Sequence, residues 1–207
     1  MKLQYLGHSC FKLSSEGYSI VVDPYENGST PGLRDLDVTA NLCVCSHGHG
    51  DHHGDSCVKT EESLVRNPFR IETVESWHDD EGGSRRGPNT IHIFHGEEMK
   101  IIHMGDIGCR PENWQMDLLK GADAVMAPAG GFYTAEPSVI YEIIKEIRPR
   151  VVIPMHYRTA GSGFPVLKTC EEFLSYCSNV VRYETDTLVL DKETGNQTAV
   201  LKQWACR

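Results

Sequence analysis

Ten residues, Ser46–Asp55 (SHGHGDHHGD), hold four histidines and two aspartates. Within them runs His47-x-His49-x-Asp51-His52. Two histidines two apart at the end of a strand send their rings to the same side. Gly48 and Gly50 let the chain turn between ligands, and Asp51 and His52 project from the turn that follows. Imidazole and carboxylate together suit zinc, and also manganese, iron or nickel. Four ligands from six residues do not converge easily on one ion. Two adjacent divalent transition-metal ions, each completed from elsewhere in the chain, are the natural solution. The completing residues occur in order: His78 in SWHDDEGG, Asp106 in HMGDIG and His156 in IPMHYRT, each directly after a strand-like run. A lone His or Asp in such a place is ordinarily a solvated loop residue, and a histidine-rich surface loop is the plain alternative. Three of them behind HxHxDH favour a metal centre.

The elements that must position these residues are mostly short strands. LQYLG, CFKLS and YSIVVDP are β-type runs separated by Gly, Ser and Glu. LCVCS runs straight into the histidine cluster, and IETVESW alternates before it meets His78. TIHIF and MKIIHMGD form a further pair about the turn HGEE. The second half alternates strand and helix. ADAVMAP reads as a buried strand, followed by the loop AGGFYTAEP and a helix from about Pro137 to Ile147. That helix carries Val139, Ile140, Ile143, Ile144 and Ile147 on one face, and Pro137 suits its first turn. RVVIPMH is another strand, and Leu167, Cys170, Phe173, Leu174 and Cys177 form a second helical stripe. VVRYE, TLVLD and TAVLKQW close the chain. No repeat, low-complexity tract or linker interrupts it. A single α/β domain over residues 1–207, with two sheets covered by helices, fits this order.

The totals agree. A chain of 207 residues can bury a substantial core. Its 20 Lys and Arg against 29 Asp and Glu leave a formal charge of −9, which disfavours nucleic acid and anionic membranes as partners. No segment approaches the ~20 apolar residues of a membrane span, and MKLQYLGHSC reads as a first strand, not a signal peptide. The cysteines, at 10, 43, 45, 57, 109, 170, 177 and 206, contain no CxxC pair that would suggest a thiolate zinc site. Reduced thiols in a cytoplasm, mostly small apolar core residues, are the expectation.

The order HxHxDH, His, Asp, His resembles the metallo-β-lactamase superfamily, and the likeness spans the chain. LGHSCFKL and VVDP resemble its opening strands. WHDDEGGSRRGPNTIHIF, IIHMGDIG, PAGGFYT and VIPMHY are most similar to small metal-dependent hydrolases related to the ascorbate-6-phosphate lactonase. The resemblance implies an α/β fold, the αββα four-layer sandwich, with metals at one edge between the sheets. Relatives often form homo-oligomers. It also implies that His47, His49 and His78 hold one ion, Asp51, His52 and His156 a second, and that Asp106 bridges them. Asp23, in VVDP, matches the acid of the first motif and is expected to brace a ligand rather than bind metal. His53 stays outside. Departures narrow the choice: His49 stands where flavin-linked diiron relatives have Glu, and Asp106 where some zinc β-lactamases have Cys. WHDDEG replaces the GHTPG-type turn of glyoxalase-like members, and no tRNA-gripping arm is evident.

The implied chemistry is hydrolysis of an ester, lactone or phosphoester of a small molecule by a metal-bound hydroxide at a dinuclear centre, zinc first. Metal coordination lowers the pKa of water to ~7, and the ions stabilise the developing oxyanion. Asp51 would bind metal and orient the nucleophile. By analogy His8 and His103, in LGHS and IIHMGD, are candidates for protonating the leaving group, or are hydrogen-bonded buried histidines. Gly130 and Gly131 could offer backbone N–H groups to an anion. Tyr133 and Arg158 follow strands that end at the metals, and Arg158, like Arg85 and Arg86, could pair with a carboxylate or phosphate. Ordinary turns and surface charges are the alternatives for all of these. His92 and His95 read as strand and turn residues, Trp77 and Trp114 as packing. Phosphodiester or nuclease action, and a metal-binding module without turnover, are the competing functions. A nuclease would want a basic, aromatic groove that the composition does not suggest.

Overall fold

The computed structural model describes residues 1–204, so Cys206 lies outside the described residues. In chain order the strands are β1 (Lys2–Gly7), β2 (Cys10–Ser15), β3 (Tyr18–Val22), β4 (Val38–Ala40), β5 (Leu42–Val44), β6 (Val58–Thr60), β7 (Arg70–Trp77), β8 (Pro88–Gly96), β9 (Met99–His103), β10 (Ala124–Pro128), β11 (Val151–Met155), β12 (Val180–Arg182), β13 (Thr187–Val189) and β14 (Gln197–Val200). The helices are α1 (Asn113–Leu119), α2 (Pro137–Ile147) and α3 (Cys170–Leu174). One sheet has the order β13-β1-β2-β3-β5 and the other β12-β14-β11-β10-β9-β8-β7; β4 and β6 pair as a small ribbon.

The two large sheets pack face to face. Leu3, Tyr5, Phe11, Leu13, Ile20 and Val22 of the first meet Phe94, Ile101, Met126, Val151 and Ile153 of the second in one buried cluster. Burial of such side chains is the main favourable term in folding. The outer face of the larger sheet is covered by the helices: Met116 and Leu119 of α1, Ile140, Ile143 and Ile147 of α2 and Phe173 of α3 close on Ile91, Ile93, Ile102, Val125 and Val152. The strands β10 and β11 are buried along their whole length, as parallel strands covered on both faces must be. On the outer face of the smaller sheet, Tyr25, Leu33, Leu36, Ala40 and Val58 cover Leu6, Cys10 and Val21. That layer is loop and ribbon. The α/β sandwich is therefore the expected one, with its described α-helices gathered on a single side.

Several local rules explain the elements. Helix α2 begins with Pro137 in its first turn and ends at Arg148, whose φ of 57° turns the chain out of the helix. Its buried Ile140, Ile143, Ile144 and Ile147 follow helical spacing. The short α1, which the hydropathy pattern did not suggest, starts on a capping box between Glu112 and Gln115. The stripe Leu167–Cys177 yields only Cys170–Leu174 as α-helix, because Leu167 and Lys168 are drawn into bonds with Phe164 and Gly130. Trp77 and Trp114, expected to pack, are 47% and 59% exposed. Pro154 sits inside β11 without harm, since the ladder to β14 ends at Val152. The seven described cysteines are all free. No helix among the described residues is long and apolar enough to cross a membrane.

Because α2 seals the larger sheet, truncating Ile143 (1% exposed) to Ala is expected to lower the unfolding free energy by about 2–5 kcal/mol. Urea denaturation checks this; a change below about 1 kcal/mol would mean that α2 is not part of the sealed core.

Candidate metal centre

Six strands end at one edge of the sandwich, and a polar residue follows each. His8 comes just after β1, Asp23 after β3, the cluster from Ser46 after β5, His78 after β7, Asp106 shortly after β9 and His156 after β11. The relevant strands of each sheet run the same way, so their carboxyl ends share this edge. Three of these residues turn the chain sharply: φ is 53° at His8, 47° at Asp23 and 51° at His156. Such left-handed conformations cost non-glycine residues about 1–3 kcal/mol each and gather at functional sites. Backbone bonds lock the corner, with the His156 amide donating to the His8 carbonyl at 2.8 Å and the Thr90 amide to the Ser46 carbonyl at 2.9 Å.

Asp23 organises the ligands. It is fully buried and its Oδ2 accepts from His52 Nδ1 at 2.8 Å and from Ser46 Oγ at 2.6 Å, while Oδ1 takes the Ser46 amide at 2.6 Å. Ser46 Oγ also lies 2.9 Å from His47 Nδ1. With Ser46 donating to Asp23, His47 Nδ1–H must be the donor to Ser46. Both rings therefore turn their Nε2 lone pairs into the site, the arrangement metal-ligating histidines need. Burial works against the Asp23 charge, yet His103, His52 and Ser46 hold its carboxyl well below the usual range. On the other sheet Asn89 Oδ1 accepts the Asp106 amide at 2.8 Å. The Asp79 carboxylate accepts the amides of Glu81, Gly83, Arg85 and Arg86 at 2.8–3.0 Å, wrapping the loop that follows His78 around one anchor. Burial opposes its ionisation, but these amides bring it down to about 2. A Cβ at Gly108 would run into the backbone of His78 and Asp79, so only glycine lets the two loops touch.

The predicted ligands come together in two sets. His47, His49 and His78 present ligand atoms within 4.8 Å of one another, and so do Asp51, His52 and His156 together with His8. Asp106 Oδ2 stands between the sets, 3.4 Å from His78 Nε2, 3.2 Å from His52 Nε2 and 3.0 Å from His156 Nε2. Atoms bound tetrahedrally at about 2.0–2.1 Å from an ion stand about 3.3 Å apart. The Nε2 atoms of His47, His52, His78 and His156, and Asp106 Oδ1, are buried without a hydrogen-bond partner in the protein. Buried polar atoms are seldom left so, at about 1–3 kcal/mol each, and convergent lone pairs fit a cation. Burial, aided by His52, holds His47 down to about 3, which keeps its imidazole neutral. Burial opposes ionisation of Asp51 and Asp106, but His8 at Asp51 and His156 and His52 at Asp106 outweigh it and lower both carboxyls. His52 moves the other way: burial lowers it, but Asp106 and Asp23 on either side push it up. The same pair of carboxylates favours any cation at that point. The donor set of nitrogen and oxygen suits zinc and its neighbours.

Some expectations need correction. His103 is fully buried. Its Nδ1 accepts the Gly105 amide at 3.2 Å and its Nε2 donates to the Ser9 carbonyl at 2.8 Å. Both nitrogens are occupied, Nε2 in tying the sheets together and Nδ1 by its own loop, which leaves no free N–H for a leaving group. His8 is also buried. Its Nε2 lies 3.0 Å from Asp51 Oδ2, and burial and His156 bring it down to about 4. It holds Asp51 in place and is not among the side chains that line the pocket beside the cluster. Gly130 is a point of close packing: a Cβ there would strike the His156 carbonyl, and its own carbonyl takes the Lys168 amide at 2.8 Å. Gly131 supplies a turn at φ 61°. Arg158 gives its Nε to the Leu167 carbonyl at 2.7 Å and stays off the pocket. His53 is exposed and outside both sets. Tyr133 does face the site. It lines a pocket of about 260 Å³ with His49, Asp51, His78, Asp106, Arg86 and Phe164. Phe164, Ser46, Asn89 and Asp79 were not anticipated; only the strand-end position of Ser46, one residue before His47, offered a signal.

Comparison with known proteins agrees with this geometry. A family model described as the β-lactamase superfamily domain matches residues 2–156. A UPF0173 metal-dependent hydrolase of Desulforamulus reducens is 30% identical over 195 residues, covering 77% of this chain and 85% of the relative. Another, of Methanopyrus kandleri, is 27% identical and covers 93% and 95%. A solved structure from Thermotoga maritima, named a candidate Zn-dependent hydrolase of the metallo-β-lactamase superfamily, superposes with a TM-score of 0.76 at 30% identity over 98% of each chain. Igni18, a metallo hydrolase from Ignicoccus hospitalis, shares the fold at 20% identity, with a TM-score of 0.66 over 99% of this chain and 95% of that one.

If Asp23 orients His52 and His47, then Asp23→Ala should weaken metal affinity about 10–100-fold while circular dichroism shows the fold retained. Competitive chelator titration measures the affinity, and a value equal to the unaltered protein's contradicts the bracing role.

Proposed function

The chain belongs to the β-lactamase superfamily, whose metal-dependent hydrolases are its relatives, and we propose that it hydrolyses an ester, lactone or phosphoester of a small molecule at a dinuclear, zinc-type centre. One observation carries the reading. Seven side chains predicted as ligands converge from separate strand ends, in two sets that meet at Asp106. Asp106 would be shared by ions held in the two donor sets, as a two-ion hydrolytic site requires, and an adjoining pocket gives room for a substrate.

His47, His49 and His78 would hold one ion and Asp51, His52 and His156 the other. The ions, when bound, activate water and polarise the bond to be cleaved. The rest belongs to the chain. Asp51 lies on the pocket wall with its carboxylate fixed by His8, placed to orient the attacking water. Asp106 holds the two ligand sets in register, and the Asn89 bond to its amide keeps it there. Tyr133 and Phe164, packed edge to face with centroids 5.9 Å apart, exclude water from one side. The formal charge of −9 and the small pocket favour a small molecule over a polynucleotide.

Activity should vanish on treatment with a strong chelator and return with zinc or manganese at no more than two equivalents per chain. Across a panel of aryl esters, lactones and bis-aryl phosphates, the lactones and esters are expected to turn over faster. Turnover that persists after complete metal removal would contradict the proposal, and exclusive turnover of the phosphates would reassign the bond cleaved.

A further inference from the structure

Arg86 is the last residue of the loop wound around Asp79, and its half-buried side chain forms part of the pocket wall beside His49, His78 and Asp106. Its backbone is fixed by the Asp79 bond at 2.8 Å. Its side chain makes one hydrogen bond, from Nη2 to the Phe132 carbonyl at 3.2 Å, and its guanidinium lies 5.7 Å from the Tyr133 ring centre. No carboxylate among the described residues pairs with it. Its neighbour Arg85 is different, with Glu81 at 2.9 Å and Asp80 at 4.0 Å. Arg158, the other arginine considered for this role, is spent on the Leu167 carbonyl. The pocket therefore holds one held but unpaired guanidinium.

Facing it, Tyr133 and Phe164 make an aromatic wall, with Phe132 against Tyr133 at 4.9 Å. These rings come from two loops, one after β10 and one after β11, that meet over the ligand cluster. On the far side of Arg86 a second pocket begins, where the acids Asp79, Asp80 and Glu136 are matched by Arg85 and Arg110. The planar fork of a guanidinium matches a carboxylate with two parallel hydrogen bonds, and a single unpaired cation balances a single negative charge.

We propose that this pocket selects a small, flat ester or lactone bearing one carboxylate, with the carboxylate held by Arg86 and the flat apolar part against Tyr133 and Phe164. This rests on the hydrolase reading of the neighbouring cluster. Arg86 is then a substrate-binding residue that sets specificity, and the Asp79 loop positions it.

The test uses the metal-loaded protein and a matched pair of probes without an ester bond, 4-acetamidobenzoate and its neutral methyl ketone counterpart 4-acetamidoacetophenone, titrated calorimetrically. The carboxylate should bind about tenfold or more tightly than the ketone, as charge-assisted pairing predicts. In Arg86→Gln that ratio should fall to about one with metal content unchanged; Arg86→Lys should keep part of it, and Arg85→Gln should keep all of it. Equal affinity for the two probes in the unaltered protein overturns the proposal. So does a preference that survives Arg86→Gln, which would mean that the carboxylate sits on the metals. Because these are binding readouts, they stand apart from turnover: a metal-loaded protein that cleaves nothing defeats the hydrolase reading, whereas one that cleaves neutral and charged esters alike defeats only this one.

Discussion

A buried carboxylate governs the geometry of this site. Asp23 lies with no exposed surface between the two sheets, and an uncompensated charge there would be costly. The compensation is what builds the centre: the bonds that keep Asp23 ionised are made by His52 and Ser46, and Ser46 takes the His47 ring in turn. The His52 ring is held by Asp23 directly and the His47 ring through Ser46, each on its Nδ1 side, which leaves Nε2 free. Two ligands from a flexible, glycine-rich stretch thereby acquire one orientation. Without that anchor, His47-Gly-His-Gly would have many ways to point its rings.

The sandwich supplies the rest by placing strand ends. Parallel strands within each sheet deliver their carboxyl ends to one edge, so residues far apart in sequence arrive within a few ångströms. The left-handed corners at His8, Asp23 and His156 then turn the chain immediately, and the bonds between His156 and His8 and between His103 and Ser9 fasten one sheet to the other there. The helical layer lies on the outer face of the larger sheet. Its part is to keep the central strands dry and straight, which holds Asp106 and His156 at their positions.

Much of this was legible in the sequence because ligation restricts residue type. Only His, Asp, Glu and Cys bind such ions well, so HxHxDH and the later His78, Asp106 and His156 stand out even without coordinates. Helix α2 was legible for a similar reason, since its isoleucines repeat with helical spacing. The supporting residues were not. Ser46, Asn89 and Asp79 belong to types found in any turn, and only their bonds distinguish them. His103 shows the opposite failure. Its motif sits beside Asp106, but its ring is bonded to the Ser9 carbonyl of the facing sheet rather than set in the pocket wall. At Gly130 the sequence could not show the close backbone contact with His156 that leaves no room for a side chain. Phe164 lies in a loop with no periodicity, so nothing in the sequence placed it opposite Tyr133.

The central proposal is that two bound ions would share Asp106. The most direct measurement is anomalous X-ray diffraction from metal-loaded crystals, recorded on either side of the absorption edge of the bound element. The account predicts two peaks about 3.5–4 Å apart, one beside His47, His49 and His78, the other beside Asp51, His52 and His156, with the Asp106 carboxylate between them. A fully loaded crystal with a single peak, or with peaks away from Asp106, would contradict it.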